Sequence, residues 1–405
     1  MKKLLELALG IVTSIGGFLE IGSISTAAQA GALFGFRLTW VVLLGGLCVI
    51  FLVEQAGRLA AVSGHTVPAA IRERFGYNYY FFLLVVLGLV TLLVLGAEMG
   101  GVCVALEFAT GVGFQWWAAP VALLVWLIIW LGTFKFIEQG ASFLGLVTVC
   151  FIVAAFVLHP PWGQVARGAL PSLPAQDSAR YWFVAVSILG ASISPYLMFF
   201  YSSGAVEDRW DESYVAVNRV IAAGGMSFGT LISASVLVVA AMVFLPRGIH
   251  VESYPQLGLL LTDAFGRTGF WLLIASLGIA CLGASLEVGL ELAYMIAQGF
   301  GWEWSKNLRP SQDARFSLAY TVVIILGALI VATGVDPLTI TVYSMALTAA
   351  TLPVGIVPFL FLMNDPEYVE DQTNGHLSNV VVLLIIGLAF VLAVVTIPLQ
   401  IFGGG

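Results

Sequence analysis

The sequence is poor in charge. Asp, Glu, Lys and Arg make up 10% of its 405 residues, against about 25% in soluble domains. That scarcity excludes a soluble globular domain of any size. Its 16 basic residues are outnumbered by 23 acidic ones, for a net charge of −7, and they are scattered. No basic stripe exists to follow a phosphate backbone, so a nucleic-acid partner is excluded. There are only four cysteines: Cys48, Cys103, Cys150 and Cys281. Each is isolated in an apolar run and no CxxC occurs, so neither a disulfide framework nor a thiolate metal centre is implied. Four histidines (His65, His159, His250, His376) all fall outside the apolar runs, which argues against a histidine metal site at bilayer depth. No nucleophile–base pair or phosphate loop stands out, so an enzyme is not expected. What is abundant is apolar: 60% of residues are hydrophobic and the mean hydropathy is +1.01. The fold class is an all-α polytopic membrane protein, with the lipid bilayer as its solvent.

Windows of about 20 apolar residues place eleven spans at roughly 8–32, 38–61, 79–107, 116–134, 139–158, 181–205, 214–245, 268–299, 316–334, 337–363 and 378–402. Lys and Arg in the links orient them. A cytoplasmic N-terminus puts Lys2, Lys3, Arg58, Arg72, Arg74, Lys135, Arg209, Arg219, Lys306, Arg309 and Arg315 inside. It leaves Arg37, Arg167, Arg180, Arg247 and Arg267 outside. An odd number of spans then carries the C-terminus outside. The compact form suggests a prokaryotic plasma membrane. Trp116, Trp117, Trp162, Trp182, Trp302 and Trp304 fall at span ends, as an interfacial belt does.

The first span contains "GGFLEIGSIS", with Glu20 at its middle. An acid at bilayer depth costs roughly 2.5–3.5 kcal/mol on insertion scales. A basic start and the small residues of "STAAQAGA" also suit a cleavable signal peptide, but cleavage would delete Glu20. The sixth span, "VAVSILGASISPYLMFFYSSGAVED", has a matching irregularity at Pro195, after Gly190, Ser192 and Ser194. Proline lacks an N–H and clashes with the preceding turn. Freed carbonyls at depth are tolerated only against protein or a water-filled cavity. Breaks in spans one and six, at Gly22 and Pro195, mark two five-span inverted repeats that meet at a midplane site. The repeats would be 1–158 and 181–363, with 378–402 an added eleventh span, all in one transmembrane domain, 1–405.

Four segments carry a resemblance. "GFLEIGSISTAAQAGALFGF" resembles the first span of the NRAMP divalent-metal transporters, with their Gln-Ala-Gly-Ala-x-Phe-Gly run. "EQAGRLAAVSGHTVPAAIRERFG", "FKFIEQGASFLGL" and "LMNDPEYVEDQTNGHLSN" are similar to that family's second span, its fourth-to-fifth turn and the link after its tenth span. The resemblance implies a LeuT-like inverted-repeat fold and alternating-access transport. Carried over by position, the family's metal ligands become Glu20, Ser23, the carbonyl of Ala191 and Ser194. Its Asp-Pro-Gly-Asn reads Glu20-Ile21-Gly22-Ser23 here. Its Met-Pro-His-Asn reads Ser194-Pro195-Tyr196-Leu197, so the sixth-span thioether and histidine are gone. Glu98 resembles the family's third-span acid on the proton route, and Tyr196 takes the histidine's place.

An oxygen-only set suits Mg²⁺ or Mn²⁺ better than a soft metal, and Mg²⁺ keeps much of its water. The expected function is uptake of Mg²⁺ and/or Mn²⁺ into the cytoplasm, with the ion as substrate and no resident cofactor. Span nine has Arg315 only at its start and no arginine inside, so proton coupling is open. A membrane potential alone contributes roughly 2.3 kcal/mol per charge per 100 mV. Alternatives are a proton-coupled Mn²⁺/Fe²⁺ symporter, a carrier of small organic solutes, and a metal sensor that does not transport. Glu287 and Glu291 share a helix face and either line a cavity or sit near the inner surface. Glu54 and Arg58 read as an ion pair, Glu107 as solvated, and Glu138 as holding a turn.

Overall fold

The computed structural model describes residues 20–174 and 177–402, and among them helices are the only regular elements. Helix α1 (Ile21–Phe34) passes through a 3-10 turn at Gly35–Leu38 into α2 (Thr39–Ser63). Short α3 (Val67–Phe75) leads to long α4 (Tyr77–Thr110). Then come α5 (Ala118–Leu131), α6 (Phe134–Gly145), α7 (Val149–Val157) and α8 (Trp162–Gly168). The second part holds α9 (Ser178–Ser192), α10 (Pro195–Glu207), α11 (Val215–Val243), α12 (Arg267–Phe300), α13 (Ala314–Ala332), α14 (Pro337–Leu362) and α15 (His376–Phe402).

Local chemistry bounds these helices. The Thr66 hydroxyl accepts the Ala69 N–H at 3.2 Å to open α3, and the Asp336 carboxylate accepts the Thr339 N–H at 2.9 Å to open α14. Both helices have proline in the first turn, where no N–H is needed. Gly35 has φ +60°, a conformation strained for any side chain, and it turns the chain out of α1.

Nine helical stretches among the described residues are long and apolar enough to cross a membrane, and a tenth is added by one bent pair. This differs from eleven separate windows in two places. The first stretch, Ile21–Ser63, holds two windows at once, because a 3-10 turn rather than a loop joins α1 to α2. The window at 139–158 is not one helix. It is interrupted by a 3-10 turn at Leu146–Thr148, and Leu146–Val157 meets α8 at a bend of 120°. Pro160 and Pro161 fall in that bend, where neither can supply a helical N–H. Residues 8–19 of the first window lie outside the described residues.

Helices α1 and α2 both pack on α11, and α4 packs on α12 and α14. Helix α9 packs on α14 and α15, and α10 on α2 and α12. Small residues permit the closest approaches, as in other membrane bundles. A Cβ on Gly31 would lie 2.2 Å from the Leu237 carbonyl, and one on Gly190 would lie 1.8 Å from the Met345 carbonyl. Leucines such as Leu89 and Leu131 stay exposed, as a lipid-facing surface requires.

The two ends of α2 have different polar surroundings. Arg37 precedes it and Arg58 lies near its other end, about 30 Å away at 1.5 Å per residue. Arg37 shares a cavity with Arg180 and His250. Arg58 pairs with Glu54 at 3.1 Å, and it donates to the Gln372 carbonyl and to Asn374 Oδ1. That clamp holds the link between α14 and α15 against α2.

Candidate functional site

The sixth span is discontinuous. Helix α9 stops at Ser192, Ile193 and Ser194 leave helical geometry, and α10 starts at Pro195. In an unbroken helix the Ala191 carbonyl would accept from the N–H of residue 195. Proline has none, so that carbonyl loses its helical donor. The Gly190 carbonyl, one residue earlier, is satisfied by the Ser194 hydroxyl at 3.0 Å. Ser194 thus spends its proton on the backbone, and its lone pairs stay available.

The first span begins at the same place. Glu20 is extended (φ −119°, ψ 169°), and the helix starts at Ile21. Gly22 is therefore not the break. It lies inside the first turn of α1, whose helical geometry begins after the extended Glu20. The lack of a side chain at Gly22 serves packing instead, since a Cβ there would lie 2.7 Å from the Met345 sulfur. Ser23 follows in the same turn and is buried.

Glu20 is 1% exposed. The Tyr196 hydroxyl donates to its Oε2, and Ser194 lies beside the same carboxylate. Its Oε1 is buried with no hydrogen-bond partner. The structure thus joins Glu20, Ser194 and Tyr196 directly. Ser23 stands in the turn next to Glu20, and Ala191 ends α9 at the break.

Glu98 reaches the same point from α4. Both of its oxygens accept the Ile21 N–H, at 3.0 and 3.2 Å, and the Gly22 N–H and the Cys281 thiol also bond to it. It caps the first turn of α1, a role that sequence distance hid. Helix N-termini carry partial positive charge and C-termini partial negative charge. The starts of α1 and α10 therefore hold the two carboxylates, Glu98 and Glu20. The end of α9, with its freed carbonyl, presents negative potential.

Met345 on α14 is the residue that the sequence did not flag. Its side chain lies over Gly22 and its carbonyl approaches Gly190, so it touches both halves of the break. Among the described residues no three His, Cys, Asp or Glu side chains gather closely enough to chelate a metal. An ion at the break would rest on one carboxylate with hydroxyl and backbone oxygens.

Below the break a cavity of about 30 Å³ is bounded by Glu138, Leu197, Asp208 and Glu287. Burial pushes the Asp208 carboxyl above its ordinary value, and Lys135 nearby works against that shift. Glu107, expected to be solvated, accepts the Phe114 N–H at 3.2 Å and closes the turn after α4.

A helical bundle with two helix ends meeting at a buried acid defines an integral membrane protein of the secondary-transporter class, not an enzyme. Its fold is that of the LeuT-type carriers. It superposes on the Eremococcus coleocola manganese transporter, in complex with an aromatic bis-isothiourea compound, with TM-score 0.78 at 22% identity, covering 98% of this chain and 87% of that one. It superposes on MhsT in complex with L-phenylalanine with TM-score 0.64 at 15% identity, covering 96% and 97%. The family described as "Natural resistance-associated macrophage protein-like" matches residues 10–398, and the chain belongs to that Nramp family. Two proteins called "Divalent metal cation transporter MntH" are similar to it. The one from Caldanaerobacter subterraneus subsp. tengcongensis is 24% identical over 410 residues, 97% of this chain and 92% of that protein. The one from Deinococcus radiodurans is 27% identical over 366 residues, 86% and 79%.

Proposed function

We propose that this protein is a secondary transporter of divalent metal cations, Mg²⁺ or Mn²⁺, moving them into the cytoplasm by alternating access. The observation that carries the reading is Glu20: a buried carboxylate where the start of α1 meets the break between α9 and α10, with one oxygen unpartnered. Glu20, Ser23, the Ala191 carbonyl and Ser194 hold the ion, and Tyr196 steadies the carboxylate. The family membership and the names of its relatives support a divalent metal as cargo. An acid at this point also disfavours an organic solute with a carboxylate, which it would repel.

The ion is substrate, and no resident cofactor is needed. The oxygen donors suit either Mg²⁺ or Mn²⁺. Glu98 is engaged by the first turn of α1, which leaves the ordinary third-span proton route without its free acid. The two breaks support the division into repeats 1–158 and 181–363, with 378–402 added. The basic residues support a cytoplasmic N-terminus in a plasma membrane. Arg58, Arg74 and Arg219 lie at acidic partners around the inner links, and Arg37 and Arg180 meet at the other end of α2.

The test is uptake of Mg²⁺ and Mn²⁺ into proteoliposomes, with a pH dye inside, for the wild type and Glu20→Ala. Uptake of either ion that disappears in the variant is expected. Uptake indifferent to Glu20, or none of either ion, would overturn the reading.

A further inference from the structure

Helix α12 carries two acids, Glu287 and Glu291, one turn apart and 2% and 0% exposed. Neither takes part in an ion pair among the described residues. Glu291 is the more anomalous, because both of its carboxylate oxygens are buried with no hydrogen-bond partner. Buried polar atoms are paired as a rule, and an orphaned one calls for an explanation.

The surroundings of Glu291 indicate what is missing. It lines a cavity of about 10 Å³ together with Thr91, Tyr196, Thr348 and Thr351. That is room for about one water-sized body. Three of its four hydroxyls direct their protons elsewhere, Thr91 being the exception. Thr348 donates to the Ser344 carbonyl at 2.9 Å, Thr351 to the Leu347 and Thr348 carbonyls at 3.1 and 3.0 Å, and Tyr196 to Glu20. The cavity is left with the Thr91 hydroxyl, acceptor lone pairs and one carboxylate, so its net charge is negative. Its complement is small and carries a single positive charge. A hydrated divalent ion is too large and keeps its water too tightly for this space.

We propose that Glu291, with Thr91, Thr348 and Thr351, forms a second cation site, for one monovalent cation, either a proton or Na⁺. The site lies apart from the divalent centre yet shares a wall with it. Tyr196 lines the Glu291 cavity and bonds Glu20 with its hydroxyl. Occupancy at Glu291 is thereby felt at Glu20, the geometry needed to link a monovalent ion to metal movement. That linkage rests on the transport reading above, whereas the binding site itself does not.

The other charged or titratable groups facing this region are few. Glu287 is one turn back on α12, and its own charged neighbours are Glu138 of α6 and Glu20. Tyr196 comes from α10. Tyr80 of α4 donates to the Met295 carbonyl at 2.8 Å, and Arg72 of α3, near Tyr80, donates to the Gly299 carbonyl at 3.4 Å. Helix α14 brings only threonines to the cavity.

The experiment follows thermal unfolding of the purified full chain in detergent, with two arms. In one arm pH is lowered from mildly alkaline to mildly acidic in choline chloride. In the other, Na⁺ replaces choline at constant ionic strength. The wild type is expected to gain several degrees in one arm, which identifies the ion, and Glu291→Gln to lose that increment. Thr348→Val, which keeps the carboxylate but removes one acceptor, is expected to weaken the increment and serves if Glu291→Gln does not fold. An increment unchanged in these variants, or no increment in either arm of the wild type, overturns the site. Mn²⁺ uptake by the same preparation is measured in parallel. Its absence counts against the transport reading, and the two failures stay separable.

Discussion

At the scale of single residues, the break is a matter of who satisfies whom. Glu20 has one oxygen held by Tyr196 and one left over, while Glu98 gives both oxygens to the start of α1. A second group that orients a metal ligand is typically worth 10- to 100-fold in metal affinity, so Tyr196→Phe is expected to weaken apparent affinity for the transported ion by about that factor. Concentration dependence of uptake checks this, and an unchanged affinity would remove Tyr196 from the site. Met345 makes a sharper case. If its sulfur contacts the ion, Met345→Leu, which keeps volume but removes the thioether, shifts selectivity from Mn²⁺ toward Mg²⁺. Competition of the two ions for uptake reads the shift. Selectivity that does not move means the side chain only packs over Gly22.

At the scale of elements, the sixth span is interrupted where one backbone proton is absent. Pro195→Ala restores an N–H that the Ala191 carbonyl can accept, so α9 and α10 are drawn toward one continuous helix. Uptake is expected to fall sharply while the melting temperature stays equal or rises. Loss of activity without loss of stability separates this outcome from simple misfolding. The first span reaches the break differently. Its helix starts where Glu20 is extended and Glu98 supplies the cap, so an acid on α4 defines the start of α1. The fifth window shows a third solution, in which a 3-10 turn divides what hydropathy reads as a single span and a proline pair bends the chain just after it.

At the scale of the whole molecule, few polar ties hold the apolar bundle in register. Arg58 is the most connected of them. It pairs with Glu54 and reaches Gln372 and Asn374, which anchors the link that leads to α15. Removing one partner of a buried pair costs about 3–5 kcal/mol. The lower end applies here, because Arg219 remains 3.9 Å from Glu54 after the change. Arg58→Ala is therefore expected to lower stability by about 3 kcal/mol, read as thermal unfolding in detergent. A change within error would mean that helix packing alone places α15. Glu207 performs a similar service. It accepts from Tyr294, Ser305, the Lys306 N–H and Asn307, and so holds the segment after α12 against the end of α10.

The sequence by itself determined the membrane class, nearly all the spans, and the irregular point at Pro195. These are local or additive properties: hydropathy sums over a window, a proline lacks its proton whatever surrounds it, and an acid in an apolar run is conspicuous by its charge. The Gln29–Gly35 run of the first span was also legible as a motif, although what it does is packing, with Gly31 against the Leu237 carbonyl and Gly35 turning the chain. Only the tertiary structure decided who meets at the break. Met345 lies in an ordinary apolar window, and nothing local marks it as the residue that touches both halves. Glu98 stood out in the sequence only as an acid in the third span, and its bond to the Ile21 N–H came from packing. Glu291 looked like a neighbour of Glu287 on one face, yet the two acids line different cavities, because α4, α10 and α14 close around one and α6 and α10 around the other. Charge and hydropathy are written residue by residue, but a partner for a carboxylate is supplied by helices far apart in the chain, and only packing brings them together.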